Sequence, residues 1–474
     1  LGKVELEEVY KVNEFKVVMD VTVLSRIQFA LTAGFHYLFP PLSIGLSLMI
    51  VIMEGIYMKT KDPAHKKLTM FWIRIFALSF ALGVATGLVQ LFAFGNNWSF
   101  FSRFVGNVFG SALAAEGVFA FFLEAGFIGL MLFGWNRVRP TLHYFSSICV
   151  AFGAHFSATW IVAANSWMQT PAGYKIVGEG DEARAVLTDF WGMIFNPSFL
   201  DRLTHVLIGC WLTGAFMVIS ISAYYFLKKK HTDFARMSMK LGLIVAMVMA
   251  LLQLVSADST ARGVAKDQPA KLAAMEGVFK TQEGTAMNLI GWVDTANQSV
   301  HAVQLPGLLS FLVYRSAKTP IIGLDHFPKE DWPMVSSLFQ VYHLMIYMWG
   351  GMFLGALLGF ILWARKKFEK SKWIHRYLVL SAIFPFIANE AGWFTAEMGR
   401  QPWVVYNVMR TSQGVSRSLD AGQVMGSLIM FSVIYIFLFS LFIFLLDRKI
   451  KGGPEEEKER GDLVYSDPYP KGAT

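Results

Sequence analysis

Nine apolar runs, each near or above the roughly 20 residues that a bilayer core demands of a spanning helix, dominate this chain. They fall at roughly 24–54, 75–96, 112–134, 144–166, 203–227, 237–257, 336–363, 377–396 and 420–446. In lipid every backbone polar group must be satisfied internally, which leaves a run of this kind little choice but a helix. With 54% hydrophobic and only 16% charged residues, the chain is too apolar for a water-soluble globule. The predicted fold is an all-α integral membrane protein with nine transmembrane helices.

Basic residues alternate between the loops. Lys59, Lys61, Lys66, Lys67 and Arg74 follow the first run, and Arg137 and Arg139 follow the third. Lys228, Lys229, Lys230, Arg236 and Lys240 follow the fifth, Arg365 through Arg376 the seventh, and Arg448, Lys449 and Lys451 the ninth. The positive-inside rule then places the N-terminus outside and the C-terminus in the cytoplasm. The formal charge of +8 reflects this topology and gives no argument for a nucleic-acid partner.

The chain divides into a polar N-terminal segment (1–23), six helices (24–257), a long outer loop (258–335), three helices (336–446) and a disordered cytoplasmic tail (447–474). A second outer loop covers about 167–202. No cleavable signal peptide is expected, and Met19, just before the first apolar run, is a candidate start. Cys149 and Cys210 lie inside apolar runs and read as inert packing residues.

Ionisable groups inside a bilayer are costly, so those present point to function. Glu390 and Glu397 are seven apart, on one face if the helix continues, and Gly399-Arg400-Gln401-Pro402 should end that helix with Arg400 at the membrane surface. Trp393 and Trp403 flank the acid at 397. An inner carboxylate with a guanidinium at the rim suits a cofactor with a metal centre and anionic tails, such as a haem; an interfacial Trp/Arg anchor is the plainer alternative. Glu116 and Glu124 share one run, about 80° apart around a helix and about 12 Å along it, and suggest a proton path or a cofactor contact. His36 and His205 read equally as ligands or as interhelical hydrogen-bonding groups, and His155 and His343 are further intramembrane candidates. Met345 gains interest only as the partner of a histidine in low-spin haem ligation. Lys271 and Glu276, five apart in the long outer loop, can hold and deprotonate a quinol or can line a solvated helix face.

Taken in order, these residues and their neighbours resemble subunit I of the cytochrome bd quinol oxidases, from about Leu24 to Leu446. The resemblance rests on Ser25-Arg26-Ile27-Gln28-Phe29-Ala30 before His36, on Ala81 through Gly87, and on Phe94 through Ser99. It continues through Glu116-Gly117 with Phe122-Leu123-Glu124, Ala164 through Gln169, Lys271 through Glu276, and Gly392-Trp393 through Trp403. It implies that His205 and Met345 ligate a low-spin haem b, and that His36 and Glu397 each serve one of two high-spin haems, b and d. Trp393, Arg400, Gln401 and Trp403 would hold haem propionates and faces. Glu116 and Glu124 would serve proton delivery to the high-spin pair, and Lys271 with Glu276 the quinol. Two departures stand out: His343 occupies a position two before Met345 where relatives often carry Arg, and His155 lies where some relatives have an uncharged polar residue. About fifteen residues separate Pro320 from the seventh run, as in the short-loop class.

The expected function is a copper-free, multi-pass quinol oxidase subunit of the bacterial plasma (inner) membrane. It oxidises quinol outside, reduces dioxygen to water with cytoplasmic protons, and so generates a proton gradient. The expected partners are a homologous membrane subunit II, with room for a small single-span subunit. Two rival readings are a haem-free proton or cation transporter built on Glu116, Glu124 and Glu397, and a cyanide-insensitive oxidase with only b-type haems.

Overall fold

The structure, a computed structural model, describes residues 20–454; the rest of the N-terminal segment, Met19 and residues 455–474 of the tail lie outside them. Nine helices among the described residues are long and apolar enough to cross a membrane, as expected. These spans are Val21–Thr60, Pro63–Asn97, Ser99–Phe133, Pro140–Gln169, Phe199–Lys228, Thr232–Asp267, Lys329–Ala364, Lys372–Met398 and Ala421–Gly452.

Several boundaries differ from the sequence reading, each for a local reason. The first span breaks at Leu38, because Pro40 and Pro41 begin a new helix and withhold the amides that would continue the old one. His36 is thereby the penultimate residue of the helix Val21–Tyr37. The sixth helix runs on to Asp267, ten residues into the segment assigned to the outer loop. The ninth continues to Gly452, so residues 447–452 are helical rather than disordered tail.

Within the third span, residues Glu116–Phe121 form a π-helical turn. Such wide turns often mark functional sites, and this one changes the angular relation expected between Glu116 and Glu124. Outside the spans lie three two-stranded antiparallel hairpins, at Tyr174–Val177 with Arg184–Leu187, Met287–Asp294 with Ser299–Leu305, and Trp403–Val405 with Met409–Arg410.

The fifth span is the most enclosed, with 78% of its most apolar window buried, and the ninth the least, at 11%. The fifth packs against the first, fourth, sixth and eighth spans, while the ninth turns inward mainly through Val424, Tyr435 and Phe442, the last two meeting Phe35 and Phe39 of the first span. Gly45 of the first span and Gly214 of the fifth touch backbone to backbone, and a Cβ on either would strike the other chain. Small residues allow this close approach where the hydrophobic effect gives helices no reason to associate. Leu42, Leu46, Phe76, Phe216 and Ile219 fill the core around that contact.

Candidate functional site

One continuous cavity of about 2130 Å³ runs through the bundle. Its walls carry His36, Glu116, Glu124, His205, Lys271, Glu276, Met345, Trp393, Glu397, Arg400 and Gln401, otherwise among mainly apolar side chains. A pocket for one small molecule is about 300–1,000 Å³, so this space suits more than one large cofactor.

The second span positions His36. Thr86 Oγ1 donates to the carbonyl of Leu82 at 2.8 Å and lies 3.0 Å from His36 Nδ1. With its only proton committed, the hydroxyl accepts from Nδ1–H, which leaves Nε2 with its lone pair available. Gly87 makes room for the ring, since a Cβ there would sit 3.2 Å from His36 Cε1. The Ala81–Gly87 segment thus has a mechanical role that spacing alone did not reveal.

His205 belongs to the fifth span and faces the sixth, where Gln253 Nε2 lies 3.1 Å from Nδ1 and 3.0 Å from Nε2. Gln253 Oε1 is buried without a partner. Met345 Sδ fills the space over Gly392, 3.1 Å from where a Cβ would stand.

At the end of the eighth span the expected surface arginine is instead buried. Arg400 is 3% exposed and bonded to one oxygen of Glu397, while Asn165 Nδ2 donates to the other at 2.9 Å. Asn165 in turn accepts from Arg202. Lys271 is 4% exposed and donates to Gln169 Oε1 at 3.0 Å, Gln268 Oε1 at 3.1 Å and the carbonyl of Ala396 at 3.0 Å. Gly399 admits its stem, because a Cβ there would lie 2.7 Å from Lys271 Cγ and Cε.

Arg202, Lys271 and Arg400 thus surround one carboxylate, Glu397. Burial, with Arg202 and Arg400 adding to it, pushes the Lys271 ammonium well below its ordinary value, and Glu397 opposes this. Arg400 is likewise lowered by burial and raised by Glu397. Arg202 Nε and Arg400 Nη1 remain without partners. A surplus of buried cations with free donors calls for an anion.

Glu276 is 1% exposed, and its Oε2 has no partner. Burial raises its carboxyl, opposed by nearby His343 and a hydrogen bond from Tyr342. The solvated-face alternative for Lys271 and Glu276 therefore fails: both are enclosed. Glu116 accepts from Ser157 at 2.7 Å, and Glu124 packs on Gly153, one turn away on the same helix. Both acids thus address the fourth span.

Two expected residues fall elsewhere. Trp403 does not line the cavity; it closes a short hairpin with its ring 4.5 Å from the Arg410 guanidinium. Glu390 shares its helix with Glu397 but turns toward Gly34, outside the cavity lining, with Oε1 unpartnered. The two unexplained histidines acquire structural roles. His343 places each ring nitrogen 2.8 Å from a backbone carbonyl, of Phe339 and Asn288, so neither is free for a metal. His155 bonds to the Ala151 carbonyl at 2.7 Å and accepts from Trp211 at 2.8 Å, tying the fourth span to the fifth.

Sequence reasoning missed Thr86, Asn165, Arg202 and Gln253 as site residues. Only Arg202 left a usable signal, a cation one turn from His205 at the mouth of an apolar run. It also missed Glu54, buried against His143 at 2.6 Å and Ser147 at 2.6 Å between the first and fourth spans.

No three His, Cys, Asp or Glu side chains converge among the described residues as a bare-metal cage. The candidate donors are instead dispersed singly over apolar walls. That arrangement would fit iron held in macrocycles, which supply most of the iron's ligands themselves and would ask the protein for only one or two side chains each.

The family described as cytochrome bd terminal oxidase subunit I matches residues 24–454. The cytochrome bd ubiquinol oxidase subunit 1 of Bacillus subtilis (strain 168) is 40% identical over 462 residues, covering 95% of this chain and 98% of the relative. The cytochrome bd-II ubiquinol oxidase subunit 1 of Escherichia coli (strain K12) is 33% identical, covering 92% and 97%. Among solved structures, the bd oxidase from Geobacillus thermodenitrificans aligns with a TM-score of 0.86 at 29% identity, covering 92% of this chain and 99% of that one.

Proposed function

This chain belongs to the cytochrome bd terminal oxidase subunit I family, and from that premise we propose that it is the haem-bearing subunit of an electrogenic quinol:oxygen oxidoreductase. It is a multi-pass bacterial membrane protein that works as a quinol oxidase in a complex with subunit II. The carrying observation is the cavity that gathers His36, His205, Met345 and Glu397 beside a surplus of buried cations.

When bound, haems would supply the redox-active iron and the oxygen chemistry. His205 and Met345 would hold a low-spin haem b, and His36 and Glu397 one high-spin haem each, b and d. Arg400, Arg202 and Lys271 would meet the propionates, Gln401 would support them, and Trp393 would offer a ring face. Gln253, which now spans both nitrogens of His205, would turn aside from the ring.

The remaining roles belong to protons. Glu276 Oε2, buried and free, accepts a proton from the quinol hydroxyl, with Lys271 as its partner in the quinol pocket. Glu124 and Glu116, held by the fourth span at Gly153 and Ser157, carry protons from the cytoplasmic side toward the high-spin pair. With the basic loops inside, quinol protons leave outward and water-forming protons enter from within, so charge separates across the membrane.

A reduced-minus-oxidised spectrum with pyridine haemochrome analysis tests this reading. Two b-type haems and one d-type per complex, with quinol-driven oxygen uptake, are expected. Only b haems would discard the d assignment, and a well-folded complex without haem would favour the transporter.

Two substitutions probe single roles. Glu276→Gln raises the quinol KM and spares oxidation of an artificial donor. As the base is the carboxylate, wild-type quinol oxidation weakens as pH falls through the carboxyl's pKa. Burial raises that pKa, so the decline begins at a higher pH than for an exposed glutamate, and Glu276→Gln flattens it. Equal loss with both donors would remove Glu276 from the quinol site. Thr86→Val frees the His36 ring to rotate and should weaken haem retention there by about 10–100-fold, the usual scale for a lost orienting bond. Titrating the apoprotein with haem measures it; unchanged affinity would reduce Thr86 to packing.

A further inference from the structure

The hairpin Met287–Asp294/Ser299–Leu305 is built opposite to a hairpin that faces water. Its inner face packs inward, with Val293 and Val300 against Gly277, where a Cβ would lie 2.7 Å from Val300 Cγ2. Its outer face carries Ile290 at 65%, Trp292 at 62%, Val303 at 63% and Leu305 at 44% exposure. Ile290 pairs with Val303 and Trp292 with His301, so these residues form one surface rather than scattered exceptions. Trp292 and His301 stack at 5.5 Å across it.

The seventh span fixes where this surface lies. Gln340 Nε2 donates to the Gly291 carbonyl at 2.9 Å, His343 Nε2 lies 2.8 Å from the Asn288 carbonyl, and the Tyr347 hydroxyl donates to the Leu289 carbonyl at 2.7 Å. Residues 340, 343 and 347 share one helix face, so the strand lies along the span's flank rather than above its end. Tyr347 is twelve residues past Val335, about 18 Å along the helix. Exposed apolar side chains also stand at Leu344 and Leu354 on the seventh span, at Phe311 and Tyr314 on the helix Leu308–Tyr314, and at Leu254 and Val255 on the sixth.

We propose that the outer face of this hairpin rests in the interfacial layer of the lipid bilayer. The occupant is lipid because the patch lies along the flank of a membrane-spanning helix that itself exposes Leu344 and Leu354, and it carries a tryptophan, a side chain that favours the membrane–water interface. The hairpin then acts as an anchor. Asn288 Nδ2 donates to the Glu276 carbonyl at 2.6 Å and Gln304 Nε2 to Asn288 Oδ1 at 2.8 Å, so a hairpin held by lipid also holds the Glu276 turn at membrane level. A lipophilic substrate can then reach that turn from the bilayer. The placement rests on the span assignment and not on oxidase activity.

Site-directed spin labelling of the whole complex in phospholipid nanodiscs tests it, with labels at Ile290→Cys and, separately, Val303→Cys in a Cys149→Ser background. Gln298→Cys, in the hairpin turn, is the aqueous reference. The ratio of collision rates with dissolved oxygen to those with a water-soluble nickel chelate should be several-fold higher at 290 and 303 than at 298. A ratio equal to that at 298 overturns the proposal in favour of a solvated face. Exclusion of both probes overturns it in favour of a protein partner. Neither result bears on haem content or quinol turnover, which report separately on the oxidase reading.

Discussion

Replacing His205 with alanine is expected to erase the low-spin haem signal and reduce quinol-driven oxygen uptake to background, with the protein still inserted. Insertion survives because it depends on nine apolar spans, of which the fifth loses one imidazole. The site does not survive, because among the described residues no other free imidazole is shown beside Met345. Gln253 presents an amide, His155 is engaged by Ala151 and Trp211, and His343 is engaged by Phe339 and Asn288. Met345 would be left as a single thioether, a weak ligand alone. A reduced spectrum unchanged from wild type would sink the assignment. A spectrum lacking only the low-spin component, with the high-spin bands intact, separates loss of a ligand from loss of the fold.

Glu397→Gln should be the most destabilising single change at the site. The carboxylate is the one anion among Arg202, Lys271 and Arg400, and Arg400 pairs with it directly. Removing one member of a buried ion pair typically costs about 3–5 kcal/mol, because the remaining charge is neither solvated nor compensated. The Glu397 side chain retains 19% exposure toward the cavity, which places the expected loss at the lower end of about 3–5 kcal/mol. The amide can keep the Asn165 contact, so lost charge rather than lost shape is what the variant reports. A thermal shift of several degrees in the purified complex and disappearance of one high-spin haem band are expected together. Glu397→Asp should recover part of the stability and less of the spectrum, since the shorter side chain keeps the charge but withdraws the ligand. Wild-type melting and an intact high-spin spectrum in Glu397→Gln would remove this residue from both roles.

Much of the architecture was legible in the sequence. The nine spans needed only a count of consecutive apolar residues, whereas the break of the first at Leu38 was not read although Pro40-Pro41 carries its cause. The carboxylates and histidines announced themselves by being ionisable in lipid. Their companions did not. Thr86 is an ordinary helix residue until its hydroxyl is found between Leu82 and His36. Asn165 sat in a motif without a role until Glu397 was placed against it. Lys271 and Glu276 looked like a solvated pair because their sequence neighbourhood is a loop, whereas the covering residues come from the fourth, seventh and eighth spans. Trp403 is close to Arg400 in sequence, yet the hairpin Trp403–Val405/Met409–Arg410 sets its ring beside Arg410 and outside the cavity lining.

The division has a physical origin. Partition into a bilayer is nearly additive over neighbouring residues, so the sequence by itself determined the number of spans, their approximate limits and the candidate ionisable groups. Hydrogen bonds and ion pairs act over a few ångströms between points remote along the chain. His36 meets Thr86 across 50 residues, Lys271 meets Ala396 across 125, and Glu397 meets Asn165 across 232. Only the packing of the helices decides such meetings. The tertiary structure therefore decided which imidazole keeps a free nitrogen, which cations share one carboxylate, and which side chains open onto a common cavity.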